Sequence, residues 1–152
     1  MMKKIVLILF LALGALSVQA QEIKWMSLDE ALAKQKKVPK PIFVDVCTNW
    51  HGPCKLLDAT TYRDAEVVDL ITRNYYAVKF NAEGNSVVSY HGETFTNPGF
   101  DPNRKGRNSA HQLTKYLKVE EYPSMFIIDK KGNVLEPIVG TRTPEQLLKL
   151  LR

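Results

Sequence analysis

The sequence predicts an α/β protein with a mixed central sheet flanked by helices. Segments with the composition of strands alternate with segments of helical periodicity along most of the chain, which is typical of a layered α/β fold. Near the C-terminal end, two strand-like segments follow one another across a short turn, so at least one pair of strands is expected to be antiparallel. Residues 82–108 interrupt the alternation, and we interpret them as an insertion.

Length and composition limit the architecture to one globular domain. The chain has 152 residues, of which 45% are hydrophobic and 24% charged. These values exclude a disordered chain, a collagen-like fibre and a long coiled coil. Two cysteines are too few for a small secreted scaffold held together by disulfides. A hydrophobic core, rather than cross-links, must therefore stabilise the domain.

The N-terminal segment has the layout of a cleavable secretory signal. Two lysines stand among the first four residues, nine consecutive apolar residues follow as Ile5–Leu13, and Val18–Ala20 gives a small-x-small ending. The apolar run is shorter than the roughly 20 residues that a spanning helix needs, and no cysteine stands at the cleavage site to carry a lipid. We therefore predict a signal peptide over residues 1–20, a domain over residues 21–152, and a periplasmic protein without a stable membrane anchor.

The formal charge of +5 does not point to nucleic acid. Cleavage after Ala20 removes two of the 21 basic residues and none of the 16 acidic ones, which leaves 19 against 16, a net charge of +3. The basic cluster Arg104, Lys105 and Arg107 has no interleaved aromatic residues and is interpreted as a solvated loop. We expect no nucleic-acid partner.

The first predicted elements are a strand, a helix and a second strand. Ile23–Met26 alternates apolar residues and is predicted to be an edge strand. Ser27 and Glu30 form the pattern of a capping box that starts a helix, and Val38–Pro41 ends it because proline cannot continue a helix. Ile42–Val46 is a compact β-branched run, which is typical of a central buried strand.

Two helices and a third strand follow. Pro53 opens one helix, and Asp64 starts another whose apolar residues recur at helical spacing. Tyr75–Phe80 is predicted to be a strand. Within the insertion, Val87–Tyr90 and Glu93–Phe95 are expected to pair as a hairpin across a two-residue turn.

The last predicted elements are a helix, a strand pair and a final helix. Ser109 is expected to cap the first of these helices. Met125–Asp129 and Val134–Val139 are predicted to be strands joined by a tight turn. Thr143 precedes the final helix, with Pro144 at its first position.

The chemically informative stretch joins the buried strand to the helix that follows it. Cys54 falls in the first turn of that helix, where the positive end of the helix dipole stabilises a thiolate. His51 stands three residues earlier, so an imidazolium there would lower the thiol pKa further. Asp45 is an acid inside an apolar strand, which costs several kcal/mol if the carboxylate stays charged and unpaired.

This stretch resembles the active-site motif of the thioredoxin family. Trp50–Lys55 reads Trp-His-Gly-Pro-Cys-Lys where the family has Trp-Cys-Gly-Pro-Cys-Lys after an Asp-containing central strand. Tyr122–Ser124 resembles the cis-proline segment of the family, with Lys131-Gly132 at the next turn and Gly140 after the last strand. The resemblance covers the whole predicted domain and implies a thioredoxin-like mixed sheet.

The resemblance also implies a lineage in thiol–disulfide exchange, with no cofactor. Partners would be protein thiols and disulfides or extended peptide segments, held at the positions that match the family's substrate-binding motif: Trp50, Gly52, Pro53, Tyr122 and Pro123. One position departs from the family, because His51 stands where the attacking cysteine belongs. An ordinary two-cysteine cycle at Cys-x-x-Cys is therefore impossible, and whether the chain is an enzyme stays open at this point.

Two interpretations of this departure keep thiol chemistry. In the first, Cys47 forms a reversible bridge with Cys54, which requires Cα atoms within about 7 Å of each other. The resemblance then makes Asp45 the buried proton acceptor for a cysteine. In the second, Cys54 acts as a single thiol activated by His51. Peroxiredoxins use a cysteine at this place, but their upstream Pro-x-x-x-Thr pattern is absent.

Two further interpretations involve no exchange. A redox-silent fold would bind an extended peptide along the edge formed by Tyr122 and Pro123. Copper or zinc would instead take three ligands: Cys47, His51 and Cys54. A fourth ligand is not evident, although His91 or His111 would be candidates, and no metal site is predicted.

We predict a candidate catalytic set at the end of the central strand: Cys54, His51, Cys47 and Asp45. In an active protein Cys54 carries the chemistry, and Cys47 or a partner thiol resolves the mixed disulfide. His51 tunes the thiol, Asp45 moves the proton and Pro123 aligns the substrate.

Overall fold

The structure is a computed structural model that describes residues 20–152. The predicted signal peptide therefore lies outside the described residues, apart from Ala20. Within the described part, no helix is long and apolar enough to cross a membrane.

Seven strands are described, in chain order: β1 (Trp25–Met26), β2 (Ile42–Cys47), β3 (Tyr76–Asn81), β4 (Val88–Tyr90), β5 (Glu93–Phe95), β6 (Ser124–Ile128) and β7 (Ile138–Val139). Five of them form one sheet in the order β1-β3-β2-β6-β7. The pairs β1·β3 and β3·β2 are parallel, whereas β2·β6 and β6·β7 are antiparallel. The mixed central sheet predicted from the sequence is thereby confirmed, and β2 lies at its centre.

Five helices flank this sheet: α1 (Leu28–Lys37), α2 (Gly52–Ala59), α3 (Ala65–Asn74), α4 (Gln112–Tyr116) and α5 (Pro144–Leu151). A short 3₁₀ turn, Thr61–Arg63, joins α2 to α3. Successive residues of β2 point to opposite faces of the sheet. Val44 and Val46 accordingly pack in a core with α1 and α4, while Phe43 packs in a second core with α2, α3 and α5.

Most predicted helix starts are confirmed by their capping bonds. The Asp64 carboxylate accepts hydrogen bonds from the first amides of α3, and Thr143 forms a complete capping box with Gln146 at the start of α5. Ser27 accepts from the Glu30 amide at 3.2 Å, but no returning bond from Glu30 completes the predicted box. The Glu30 carboxylate instead lies 3.9 Å from the ammonium of Lys34.

Two predictions near the C-terminal half are wrong. Ser109 does not cap α4, because the chain stays extended until His111, whose backbone N–H donates to the Ala82 carbonyl at 2.8 Å. His111 is the capping residue, and its Nδ1 accepts from the Leu113 amide at 3.1 Å. The strand predicted over residues 134–139 is confirmed only for Ile138–Val139, which is β7. Pro137 interrupts it because proline has no N–H to donate to a neighbouring strand.

The insertion over residues 82–108 is an ordered part of the domain. Its predicted hairpin is confirmed as β4 and β5, and the turn residues His91 and Gly92 both adopt positive φ, at 51° and 77°. This conformation matches the twist of a tight hairpin. It also favours glycine at position 92, because glycine adopts positive φ without steric strain. Tyr90 and Phe95 are buried in the same core as α1, so the hairpin is packed against the sheet.

Candidate active site

The site lies where β2 ends and α2 begins. β2 carries Asp45 and Cys47 at its carboxyl end, and a short loop returns the chain so that Cys54 sits in the first turn of α2. The Cα atoms of Cys47 and Cys54 are 5.9 Å apart and their sulfurs are bonded in a disulfide. This distance meets the geometric condition stated for a displaced bridge.

The bridge occupies both cysteines of the chain, so no free thiol is left at this site. It also bears on the metal interpretation, because both candidate sulfur ligands are already bonded. His111 and His91 make hydrogen bonds elsewhere, to the carbonyls of Ser86 and Gly132 respectively. Across residues 20–152, no three His, Cys, Asp or Glu side chains are grouped to hold a metal ion.

His51 stands directly beside the buried sulfur. It is the residue that precedes α2, and its Nδ1 lies 3.5 Å from Sγ of Cys54. A bridged sulfur has no hydrogen, so only the tautomer that carries its proton on Nδ1 forms a hydrogen bond here, with the imidazole as donor. The ring also meets Trp50 and Tyr122 edge-on, with centroid distances of 5.4 and 6.1 Å. His51 therefore contacts the Cys54 sulfur and lies next to Tyr122.

Asp45 stands beside the other sulfur. Its side chain is fully inaccessible to solvent, Oδ1 lies 3.5 Å from Sγ of Cys47, and Oδ2 lies 3.3 Å from Nζ of Lys79. Burial raises the pKa of the Asp45 carboxyl, while the Lys79 ammonium opposes that rise. After reduction of the bridge, a Cys47 thiol would have this carboxylate as its proton acceptor.

Lys79 connects the buried acid to the surface. It pairs with Asp45 in the β2–β3 register and also forms an ion pair with Asp58 of α2. Its ammonium lies over the rings of Trp25 and Tyr62, at 4.8 and 5.3 Å from their centroids. The pKa of Tyr62 is raised well above its ordinary value by burial and by the nearby Asp45 carboxylate. Charge at Asp45 is therefore balanced through Lys79.

An open cleft reaches the bridge from the β3 side of β2. It has a volume of about 380 Å³ and includes Cys47, Cys54, Asn49 and Asn81 in its walls. Thr48 also lines this β3-side cleft; it is 4% exposed, and its hydroxyl makes no hydrogen bond within the described part of the chain. Buried hydroxyls nearly always have a partner, so this one is an exception beside the bridge.

The cis-proline edge, formed by Tyr122 and Pro123, lies on the other side of β2, next to β6. The peptide bond between Tyr122 and Pro123 is cis, as the resemblance implies, and the Pro123 carbonyl accepts from the Gly140 amide at 2.8 Å. The predicted positions Gly52 and Pro53 are exposed at the start of α2. Burial and the Glu83 carboxylate raise the pKa of Tyr122.

The insertion contacts the site through Trp50. The Trp50 indole N–H donates to Oε2 of Glu83 at 2.7 Å, and the backbone N–H of Asn108 donates to the same oxygen at 2.8 Å. The guanidinium of Arg107 lies over the indole ring, 4.8 Å from its centroid. Both ends of the insertion are therefore fixed to this tryptophan.

The structure brings together the four residues of the predicted catalytic set, and it adds neighbours that sequence reasoning missed: Lys79, Asp58, Tyr62, Thr48 and Glu83. Lys79 had a signal, since a lysine inside an apolar strand is as unusual as an aspartate there, and the two fall in adjacent strands. No sequence signal identified Glu83, because its bonds to Trp50 and Asn108 depend on how the insertion folds back onto the site.

The sequence profile of the thioredoxin-like domain matches residues 28–152. Because this match spans most of the chain, the protein belongs to the thioredoxin-like domain family. The resemblance drawn from the Trp-His-Gly-Pro-Cys segment is thus confirmed at the level of family and fold. No curated protein matches the chain.

Solved structures of similar fold include several proteins of thiol–disulfide chemistry. A candidate disulphide-isomerase from Bacteroides thetaiotaomicron is 29% identical over 87% of this chain and 93% of its own, with a TM-score of 0.60. A thioredoxin from Thermus thermophilus is 16% identical over 86% and 85% of the two chains, with a TM-score of 0.63. The DsbH oxidoreductase is 17% identical over 86% and 83%, with a TM-score of 0.60. The last two share the fold alone.

Proposed function

We propose that this protein is a thiol–disulfide oxidoreductase whose redox pair is Cys47 and Cys54. The observation that carries the proposal is the bridge between these cysteines at the N-terminus of α2. The helix dipole and the His51 N–H stabilise a Cys54 thiolate, and Asp45 accepts or returns the proton of Cys47. The Bacteroides relative, described as a candidate disulphide-isomerase, supports the same chemistry.

The partners proposed are protein thiols and disulfides. Exchange conserves the number of disulfides: a substrate dithiol becomes a disulfide while the Cys47–Cys54 bridge becomes two thiols, or the reverse. An extended segment is the form in which a partner would present its cysteine, because the bridge lies beside an open cleft at the surface. The direction of transfer then depends on the potential of the partner.

A thiol count tests this function. Purified protein is denatured and alkylated with N-ethylmaleimide before any reductant is added, and the labels are counted by mass spectrometry. We expect no label before reduction with dithiothreitol and two labels after it. Oxidation of a fluorescent dithiol peptide should then require both cysteines, so Cys47→Ser and Cys54→Ser should each abolish it. Two labels in the untreated protein would contradict the proposal and leave a redox-silent, peptide-binding domain as the function.

We also propose that the protein is exported to the periplasm. The signal-like N-terminal segment supports this, and a disulfide between the two cysteines suits an oxidising compartment. The exported protein should begin at Gln21 when its N-terminus is sequenced. Ile8→Arg, which interrupts the apolar run, should keep the full-length chain inside the cell, whereas a cytosolic wild-type protein would contradict export.

A further inference from the structure

We infer that Cys47 is the sulfur that exchanges with substrate, and that the substrate thiol reaches it through the β3-side cleft rather than past the cis-proline edge at Pro123. This rests on the proposed function and adds to it the identity of the attacking cysteine and the side from which the partner approaches. It also exchanges the roles of the two cysteines relative to the sequence-based prediction, in which Cys54 carries the chemistry.

Cys47 is more exposed to solvent than Cys54, as an exchanging sulfur must be. Cys54 is 3% exposed and lies behind His51, whereas Cys47 is partly exposed at the end of β2. Exchange proceeds by attack of a thiolate on an accessible sulfur. Cys47 is therefore the sulfur on which a mixed disulfide forms, and Cys54 is the sulfur that leaves.

His51 obstructs the alternative approach. Pro123 precedes β6, and β6 and β3 lie on opposite sides of β2 in the sheet. A cysteine held along the cis-proline edge would meet the His51 ring, whose centroid is 6.1 Å from that of Tyr122 and whose Nδ1 lies 3.5 Å from Sγ of Cys54. The imidazole therefore hinders attack on the bridge from that side.

The β3-side cleft offers what an incoming thiol needs. Both cysteines form part of its wall, and its volume of about 380 Å³ is near the lower end of ligand pockets, so it suits one cysteine and its neighbouring peptide groups. Thr48 also lines the cleft, and its hydroxyl is buried without a hydrogen-bond partner among residues 20–152. A turn of this side chain into the cleft would let the hydroxyl donate to an incoming thiolate.

The steps balance as follows for a substrate dithiol. Its first thiolate attacks Sγ of Cys47, the Cys47–Cys54 bond breaks, and Cys54 leaves as a thiolate that the His51 N–H and the start of α2 stabilise. The second substrate thiolate then attacks the substrate sulfur of the mixed disulfide, and Cys47 leaves as a thiolate. The two electrons of the substrate pass to the bridge, and its two thiol protons pass to water as its thiolates form. Cys47 takes up a proton from water by way of the Asp45 carboxylate, and Cys54 stays a thiolate beside His51 or takes a proton from water.

Competitive labelling of the reduced wild-type protein tests the assignment of the sulfur. The full chain without its signal segment is reduced, freed of reductant and treated with iodoacetamide at one tenth of the thiol concentration. Peptide mass spectrometry then gives the label at each cysteine. We expect at least a tenfold excess of label at Cys47, and an excess at Cys54 would overturn the inference.

Blocking the cleft tests the direction of approach. Asn49 is exposed at its rim, so Asn49→Trp should slow reduction of the bridge by 2-mercaptoethanol at least tenfold. Val87→Trp adds the same ring at a residue that is 62% exposed and outside the cleft, and it should react at the wild-type rate. Equal rates for the two variants would overturn the inference. If the wild-type bridge does not exchange at all, the proposed function fails first; if it exchanges with Cys54 as the labelled sulfur, only this inference fails.

Discussion

Asp45 and His51 give the two sulfurs of the bridge different surroundings. The carboxylate is buried against Cys47, and the imidazole lies against Cys54. Each sulfur therefore has its own group for handling a proton or a negative charge. A carboxylate in such a place also costs stability, because folding removes it from water.

Asp45→Asn in the oxidised protein should raise the free energy of unfolding at pH 7, because the buried carboxylate is replaced by a neutral amide. A carboxyl whose folded pKa is raised binds more protons when folded than when unfolded, so stability falls as the pH rises from the unfolded pKa through the folded one. The difference between variant and wild type should therefore shrink as the pH falls from the folded pKa towards the unfolded one, about 3.9. Denaturant unfolding at a series of pH values measures it, and a variant that is less stable than wild type at pH 7 contradicts this view of Asp45.

His51→Ala should make the bridge harder to reduce. Without the N–H contact the Cys54 thiolate loses a hydrogen bond to a charged group, worth about 1.5–3 kcal/mol. The reduction potential should therefore become more negative by about 30–60 mV. Leu56→Ala is the matched control, since this residue lies on the same helix and is 56% exposed. An unchanged potential in His51→Ala would show that the imidazole does not stabilise the thiolate.

At the scale of elements, the start of α2 is a place where either of two cysteine arrangements can be built. Helix α2 keeps Gly52 and Pro53 in its first turn and Cys54 behind them, as in the motif that the segment resembles. Its dipole acts on a cysteine at position 51 as well as on Cys54. The N-terminus of α2, rather than any single side chain, therefore stabilises a thiolate at either position.

The double variant Cys47→Ser, His51→Cys should act as a reductase of the usual Cys-x-x-Cys type. With dithiothreitol as reductant, insulin turbidity should appear several-fold sooner than with the single variant Cys47→Ser, which has no partner for Cys54. Equal lag times for the two variants would mean that the start of α2 and the cis-proline edge no longer support exchange at position 51.

The insertion acts on the site through the Trp50–Glu83 bond, so Glu83→Ala should loosen residues 82–108 and Trp50 together. The loss of two hydrogen bonds to one carboxylate is expected to cost about 1 kcal/mol or more of stability. Trypsin cleavage within residues 104–107 should become several-fold faster. Glu93→Ala, whose exposed carboxylate makes no hydrogen bond within residues 20–152, is the control and should be cut at the wild-type rate. A wild-type cleavage rate in Glu83→Ala would mean that the bond between Trp50 and Glu83 does not hold the insertion in place.

For the whole molecule, the apolar cores on both faces of the sheet, rather than the bridge, should carry the fold. The bridge closes a loop with a sequence separation of only 7, for which chain entropy predicts a stabilisation of about 2–3 kcal/mol. Reduced protein should therefore remain folded at 25 °C by near-UV circular dichroism. Unfolding on reduction would assign the bridge a structural role.

Most of this architecture is visible in the sequence because local patterns and the core agree. The β-branched run Ile42–Val46, the cap at Asp64 and the turn at His91-Gly92 each specify their element without reference to distant residues. The start of α4 could not be predicted in this way, since it depends on a bond between His111 and the distant Ala82.

In the candidate site too, the residues close together in sequence could be predicted, whereas the partners from other elements could not. The acid in the strand, the cysteine at the helix start and the adjacent histidine are local signals, and they identify the place of the chemistry. The partners that come from other elements, Lys79 from β3 and Glu83 from the insertion, depend on sheet register and on the path of the insertion. Whether Cys47 reaches Cys54 depends on the geometry of the loop between them, so the sequence left that bridge as one of several alternatives.

The redox equilibrium of the Cys47–Cys54 pair shows most directly whether these two cysteines exchange electrons with a partner. The protein is equilibrated with mixtures of reduced and oxidised dithiothreitol or glutathione, quenched with acid and alkylated, and the fraction of reduced protein is measured by mass spectrometry. We predict a two-electron transition with a midpoint between about −270 and −120 mV, the range of proteins that exchange disulfides. A midpoint below about −300 mV, as in structural disulfides, or the absence of any bridge would contradict the account.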